Sequence, residues 1–457
     1  MTRSTSRSAT LFVVCMAHFL MPFMMSAVGI ALPTMGREFQ ATAPQLGLVE
    51  TVYVLSASIF LLAMGRLGDI HGRRKIFQLG LLVFTLTGGA ISQAWSMEVV
   101  IALRFLQGMG GAMVMATTMA MVVATFAPQE RGKALGIAVA SVYAGISCGP
   151  FLGGLLVAGL GWRSIFYLLI PLGLLAFAVA RLRLHDEWAD AAGEPFDWQG
   201  LLLYGPSILL LMVGVANLSK GWWAWLLLVA ANLGFLLFLW WESRSRYPIL
   251  NIDLLLHNRV FALSNLAALF NYAATFGVTF FLSLYLQYVK GMGPHQAGTV
   301  LIVQPIVQTL LSPFCGRLSD RVPAGYVATA GMALCALGLA VAATLNATST
   351  LTTVVVLLVL LGCGFALFSS PNVSIIMGSV EPRYLGIASG LNASMRTLGM
   401  MTSMMIITLI FSWLLHGQPV TVDTQPAFLR SMQLALLIFC GLCLIGIGCS
   451  LGRSRRQ

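Results

Sequence analysis

Two cations lie inside apolar runs of this chain, where a membrane-buried sequence should hold none. Arg104 and Arg396 are those residues, and a charge at the centre of a bilayer costs roughly 2.5 to 3.5 kcal/mol on insertion scales, so it is rarely idle. Gln107, one turn after Arg104, can share its hydrogen bonding. Glu50 lies about one turn inside another run, three residues before Tyr53 and on roughly the same helix face. His18, two or three turns into the first run, has the side chain that ordinarily titrates near neutrality. Glu50 and Arg104 could alternate between an ion pair and a protonated acid, which is proton-exchange chemistry. The plainer alternatives are a Glu50 facing outside water and a His18 that is only hydrogen-bonded. No acid, His and nucleophile share a helix face, so no enzyme is expected. No Gly-Lys-Ser/Thr phosphate loop occurs, so ATP cannot drive the protein directly, and neither cofactor nor metal is expected.

A third feature is the charged stretch from Gly65 to Lys75, with Arg66, Asp69, Arg73 and Arg74 between two apolar runs. It reads as a short hairpin turn. A second copy, Gly316-Arg317-Leu318-Ser319-Asp320-Arg321, follows 251 positions later, which marks two related halves. Glu130 to Gly136 is echoed in the same way by Glu381 to Gly386. A carboxylate at a helix end, bonded to Arg and to a facing helix terminus, is a contact that one conformation makes and another breaks. A hairpin that merely anchors topology is the alternative.

The elements that must position these groups are membrane helices. The 457 residues are 58% hydrophobic and 9% charged, against roughly 25% charged in soluble domains. Apolar runs near 11–33, 46–65, 76–96, 98–121, 133–158, 163–181, 199–217, 222–241, 260–284, 297–316, 325–345, 351–373, 385–411 and 430–452 give fourteen candidate spans. The net charge of +11 is not a nucleic-acid signal. Nineteen of the 26 Lys and Arg fall on the face holding both termini, five on the other, and Arg104 and Arg396 within spans. The positive-inside rule therefore makes both termini cytoplasmic. Arg3 and Arg7 precede a run too long for a secretory signal. All eight cysteines fall in apolar segments, as small hydrophobes rather than disulfide partners. The acid-rich stretch 181–199 reads as a solvated linker, and 248–259 as a helix on the membrane surface. The domains expected are 1–183, a six-span bundle; 184–249, the linker and two inserted spans; and 250–457, a second six-span bundle.

Together these stretches resemble the major facilitator superfamily, and specifically its fourteen-helix drug:proton antiporter branch, over nearly the whole chain. The resemblance implies an all-α fold of two six-helix bundles plus two inserted helices. Gly65 to Lys75 is similar to the family loop whose Asp (here Asp69) and arginines latch the halves outward-open, and Asp320 with Arg317 is the echo. Arg104-Phe105-Leu106-Gln107-Gly108 is similar to a motif whose Arg is implicated in proton transfer. Gly145, Gly149, Pro150, Gly153 and Gly154 resemble the motif that marks antiporters. Glycines four apart also strip one helix face for close packing. Gly161 to Phe166 and Gly386 to Gly399, with Asn392 and Arg396, match further habitual positions.

The chain departs from the pattern in its first span, where the usual Asp position falls on Met24, before Ala31-Leu32-Pro33. Proton coupling would then rest on Glu50, Arg104 and His18. Arg396, about eleven residues or roughly 16 Å into its span, is the candidate cavity cation, beside Met24, Gln107, Asn271, Tyr285, Gln304 and Asn392. The expectation is a multi-pass plasma-membrane protein, bacterial inner membrane in type, functional as a monomer. Its partners would be the bilayer, protons and a small amphipathic substrate exported in exchange for protons. One rival is a proton-independent or importing carrier of a neutral or anionic metabolite, favoured by the missing Asp. The other is a non-transporting receptor or scaffold, which the lack of a signalling domain disfavours.

Overall fold

The computed structural model describes residues 6–41, 43–218, 221–414 and 425–454. Of the charges counted by face, Arg3, Lys220, Arg455 and Arg456 lie outside these. A backbone in hydrocarbon must satisfy its own N–H and C=O groups, and the described chain is accordingly almost all helix. The first half contains α1 (Arg7–Phe39), α2 (Ala43–His71), α3 (Arg73–Ile91), α4 (Met97–Thr125), α5 (Pro128–Leu160) and α6 (Arg163–Arg183). Two further helices, α7 (Trp198–Ala216) and α8 (Trp222–Glu242), pair with each other, and α7 leans on α2. The second half contains the short α9 (Ile252–His257), then α10 (Arg259–Leu284), α11 (Pro294–Leu301), α12 (Val303–Arg321), α13 (Ala324–Ala343), α14 (Leu351–Gly378), α15 (Leu385–Leu414) and α16 (Gln425–Ser454).

Thirteen described segments are long and apolar enough to cross a membrane, with α11 and α12 joined into one crossing. They account for all the expected spans except 76–96. That place is taken by α3, a 19-residue helix opening on Arg73-Arg74-Lys75 and packed against α4 and α6. The expected surface helix is the six-residue α9, capped by the Asn251 side chain.

Each half forms its own bundle, and the halves meet chiefly along two crossings, α2 with α15 and α5 with α12, flanked by α4 against α15 and α5 against α14. Both crossings depend on paired glycines. A side chain on Gly65 would strike the Gly386 carbonyl, and one on Gly316 the Gly132 carbonyl. Both crossings lie at the face where the described chain begins and ends, here called the terminal face.

The charged hairpin differs from its sequence reading. Instead of turning at Gly65, α2 runs on to His71, and the break is the single residue Gly72, whose φ of 108° suits glycine. Arg66 and Asp69 therefore ride on α2, and Arg73 opens α3 just across the break.

On the opposite face the Glu38 carboxylate accepts from the Trp162 indole (2.7 Å) and from Arg163 (2.6 Å), whose guanidinium lies 4.4 Å from the Trp162 ring. This clasp ties the end of α1 to the start of α6. Burial alone would raise the Glu38 carboxyl, but Trp162 and Arg163 hold it below its ordinary 4.5. The clasp's stabilisation is thus present above that ordinary value and is lost as pH falls through the lower folded-state value. Glu38→Gln should lower the melting temperature of purified protein at neutral pH, and the gap to wild type should narrow as the pH drops below 4.5. A gap that widens on acidification would remove this account of the clasp.

Candidate functional site

Two carboxylates close the terminal face. Asp69, at the end of α2, accepts from the backbone N–H groups of Gly386 (2.9 Å) and Ile387 (3.0 Å) in the first turn of α15. Asp320, at the end of α12, accepts from Gly132 (2.7 Å) and Lys133 (2.9 Å) near the start of α5. Each aims a negative charge at the positive end of a helix in the other half. The two latches are related as the sequence repeat relates their residues.

The first latch is more heavily built. Arg73 donates to Asp69 at 2.9 and 2.6 Å, and both side chains are fully buried. Arg73 also donates to the Pro382 carbonyl of the other half at 2.6 Å. The acid-rich connection read as a solvated linker docks here. Arg73 N donates to the Trp188 carbonyl (2.9 Å), and Ala191 N to the Asp69 carbonyl (3.0 Å). Glu187 pairs with Arg74 at 3.3 Å and Asp190 with Arg73 at 3.1 Å. Glu194 pairs with buried Arg66 and, at 3.2 Å, with Arg383 of the second half. The physical reason is charge: one aspartate cannot neutralise three arginines at a buried turn, and the linker carries the acids that do.

Above the latches lies a centre where the halves face one another at mid-depth. Tyr143 of α5 meets the Phe365 ring of α14 edge-on at 6.0 Å, and Tyr272 of α10 meets the same ring at 5.3 Å. Arg396, half-buried on α15, is within electrostatic reach of His18, Tyr53 and Tyr143, which come from three helices of the first half. Asn392 is half-buried one turn before it. A cation among phenols and an apolar ring face can hold an amphipathic molecule.

This architecture has known counterparts. The family model described as Major Facilitator Superfamily matches residues 14–241 and 264–456. The chain belongs to the major facilitator superfamily. Among superfamily relatives, the riboflavin transporter RibZ of Clostridioides difficile is 31% identical over 438 residues, 96% of this chain and 95% of its own length. The tetracenomycin C resistance and export protein of Streptomyces glaucescens is 29% identical over 85% of this chain and 73% of its own. The cephamycin export protein CmcT of Amycolatopsis lactamdurans is 32% identical over 87% and 84%. The human organic anion transporter MFSD10 has the same fold, with a TM-score of 0.71 over 97% of this chain and 99% of its own at 13% identity. This superfamily member is a multi-pass membrane transporter of small molecules, not an enzyme.

Several residues named from sequence fall elsewhere in the superfamily fold. Arg104 is fully buried, donates to the Val49 carbonyl (3.0 Å) and to Gln107 (2.8 Å), and lies 4.3 Å from the Tyr53 ring centroid. It forms no ion pair with Glu50 among the described residues. Glu50 stays within electrostatic reach of Arg104, but its carboxylate lies against Gly29 of α1, and the Tyr53 ring is the group stacked on the guanidinium. His18 is buried and held by Thr118 (2.8 Å) and the Ala138 carbonyl (3.2 Å), joining α1, α4 and α5. Its Nδ1 faces a carbonyl and must donate, which leaves Nε2 to accept from the Thr118 hydroxyl.

Met24 and Asn271 are buried in the cores of their own halves, Asn271 beside Cys335. Tyr285 donates to the Asn346 carbonyl (2.7 Å) at the opposite-face end of α10, a structural tie away from the centre. Gln304 and Gln308 are buried on α12. Gly145, Gly149 and Gly153 admit α1 at Phe19, Ser26 and Ala27, whereas Gly154 faces open space and Pro150 is exposed, so only part of that motif packs. Arg317 is exposed, 5.8 Å from the Phe314 ring, and among the described residues no acid pairs with it. Sequence reading missed Tyr143 and Tyr272. Nothing in their spacing signals a joint ring contact with Phe365.

Removing one partner of a buried pair costs about 3–5 kcal/mol. Asp69→Ala should therefore open the terminal face, lengthening the distance between spin labels at exposed His71 and Glu381. Asp320→Ala should do so less, since Arg317 adds nothing to its latch. Unchanged distances in the double variant would show that the latches do not hold this face. Glu194→Gln should also shift the distribution toward longer separations, by less than Asp69→Ala.

Proposed function

We propose that this protein is a secondary transporter of the drug-exporting, fourteen-helix kind, moving amphipathic small molecules out of the cell in exchange for protons by rocking its halves. The observation that carries this reading is the pair of symmetric latches, which are contacts only one conformation can make, placed beneath an aromatic centre with one cation. Residues 1–183 and 250–457 would be the rocking bodies, with 184–249 between them. Positive charge concentrated at the terminal face favours its being cytoplasmic. In that orientation the described state is closed inward, ready to release substrate outside. Two relatives named as export proteins support the direction. A monomer contains the whole pathway.

For proton coupling, Glu50 is the better candidate. It is a half-buried carboxylate without an ion pair among the described residues, one helical face from the Arg104–Tyr53 stack. His18, locked between Thr118 and Ala138, serves as a tie among helices. A second reading, a proton-independent or importing carrier of a neutral or anionic metabolite, is favoured by the relative named a riboflavin transporter and by the lack of a carboxylate in α1 before Glu38.

The test is a pH-dye assay in acidified inverted vesicles bearing the protein, with cationic, neutral and anionic amphiphiles added in turn. Substrate-dependent dequenching should occur, and loss of the acid–base group in Glu50→Gln should reduce it by at least about tenfold. His18→Asn should leave coupling intact while lowering thermal stability. Dequenching that survives Glu50→Gln and fails in His18→Asn would move the proton to His18. No dequenching, with substrate flux independent of ΔpH, would favour the second reading.

A further inference from the structure

Arg396 has no acidic counterpart among the described residues. Among the described residues seven ion pairs form, and none involves Arg396. The described carboxylates lie at helix ends or in connections, except Glu50, whose Oε1 lies against Gly29 of α1 and whose charged neighbour is Arg104. The other cation within the spans, Arg104, is fully buried and differs in being bonded to the Val49 carbonyl and Gln107 and stacked on Tyr53. Arg396 sits half-buried twelve residues into the 30-residue α15, within electrostatic reach of His18 of α1, Tyr53 of α2 and Tyr143 of α5 of the other half. His18 has both ring nitrogens engaged and can accept nothing from a guanidinium. Tyr53 and Tyr143 present neutral hydroxyls.

A guanidinium at mid-membrane depth is costly unless an anion or water reaches it. Its planar fork matches a carboxylate through two parallel N–H···O bonds, an arrangement stronger than neutral hydrogen bonds. Tyr143, within reach of that charge, packs on Phe365, which Tyr272 also meets, and this ring cluster suits an apolar body attached to the charge. An ammonium-bearing molecule would meet a like charge here with no acid to receive it.

We propose that the substrate is an amphipathic organic anion, a carboxylate on an aromatic or aliphatic body, and that Arg396 receives the carboxylate and sets this charge preference. The assignment rests on the export reading above and narrows its substrate class. Loading would place the missing counter-charge between the halves, so that α15 carries a neutralised pair as the halves rock.

The experiment uses purified full-length protein and three probes sharing one ring system: 1-naphthaleneacetate, 1-naphthaleneacetamide and 1-naphthalenemethylamine. Calorimetric binding should favour the carboxylate over the amide by at least about tenfold, equivalent to about 1.4 kcal/mol. Arg396→Gln should erase that preference while leaving amide affinity unchanged, which also reports that the variant is folded. Arg396→Lys, which keeps the charge and loses the fork, should retain part of the preference. Equal binding of all three, preference for the amine, a preference that persists in Arg396→Gln, or no saturable binding of the carboxylate would each overturn the proposal. The same probes in the vesicle assay separate the two readings. Carboxylate-selective binding without ΔpH-driven movement would leave the anion assignment standing and remove proton exchange. ΔpH-driven movement of the amine alone would do the reverse.

Discussion

The buried Asp69–Arg73 pair is the interaction on which the rest of the terminal face depends. Both side chains are withdrawn from water, and a charge so placed must be fully bonded or it destabilises the fold. Asp69 meets that demand by accepting from the first turn of α15, so its satisfaction requires the two halves to be together. Arg73 meets it by reaching Pro382 and Asp190 as well. The local electrostatics of one hairpin thereby become a condition on the relative position of two bundles. Separation would have to supply water or new partners to every one of these groups at once, which makes the closed arrangement discrete rather than continuously adjustable.

Close approach makes the electrostatics possible. An aspartate can reach a helix N-terminus in the opposite bundle only if the helix backbones nearly touch, and Gly65 against Gly386 and Gly132 against Gly316 permit that contact. The repeat therefore carries two things together, the acid and the glycine four residues before it. The asymmetry between the halves is equally instructive. The first latch has the connection 184–197 folded over it, with Glu187, Asp190 and Glu194 answering Arg74, Arg73 and Arg66. The second has no such cover, and Arg317 is left at the surface. Glu194, shared between Arg66 and Arg383, turns a segment that joins the halves in sequence into one that also clamps them in space.

Much of this was legible in the chain. Apolar runs marked the spans because a bilayer leaves the backbone no alternative to helix, and α3 is the less apolar one because its first turn is basic. The repeat of Asp69 by Asp320 foretold two latches. The depth of Arg396 in its apolar run matches its place twelve residues into α15. What failed has an identifiable cause in each case. Asn271, Tyr285 and Met24 lie at suitable depths, but depth does not say which way a helix is rotated, and rotation put them in bundle cores or at a tie to Asn346. Glu50 and Arg104 do come within electrostatic reach of each other, yet they form no ion pair among the described residues, and it is Tyr53 that stacks on the guanidinium. The acidic linker looked solvated because its polarity was weighed alone. Set against the basic hairpin, its charge complementarity was the available signal.

By itself, then, the sequence determined that this is a helical membrane transporter of two related halves, with acids placed to latch them and an arginine at mid-depth. Those properties follow from hydrophobic length, charge placement and internal repetition, all of which are written along one dimension. Only the tertiary structure decided which groups meet: that Tyr143, Tyr272 and Phe365 share one contact, that His18 is a tie, that the linker completes the latch, and that Arg396 stands without an acid. These depend on helix rotation and on pairs far apart in the sequence, where the partner of a buried charge is chosen by packing and not by the local chain.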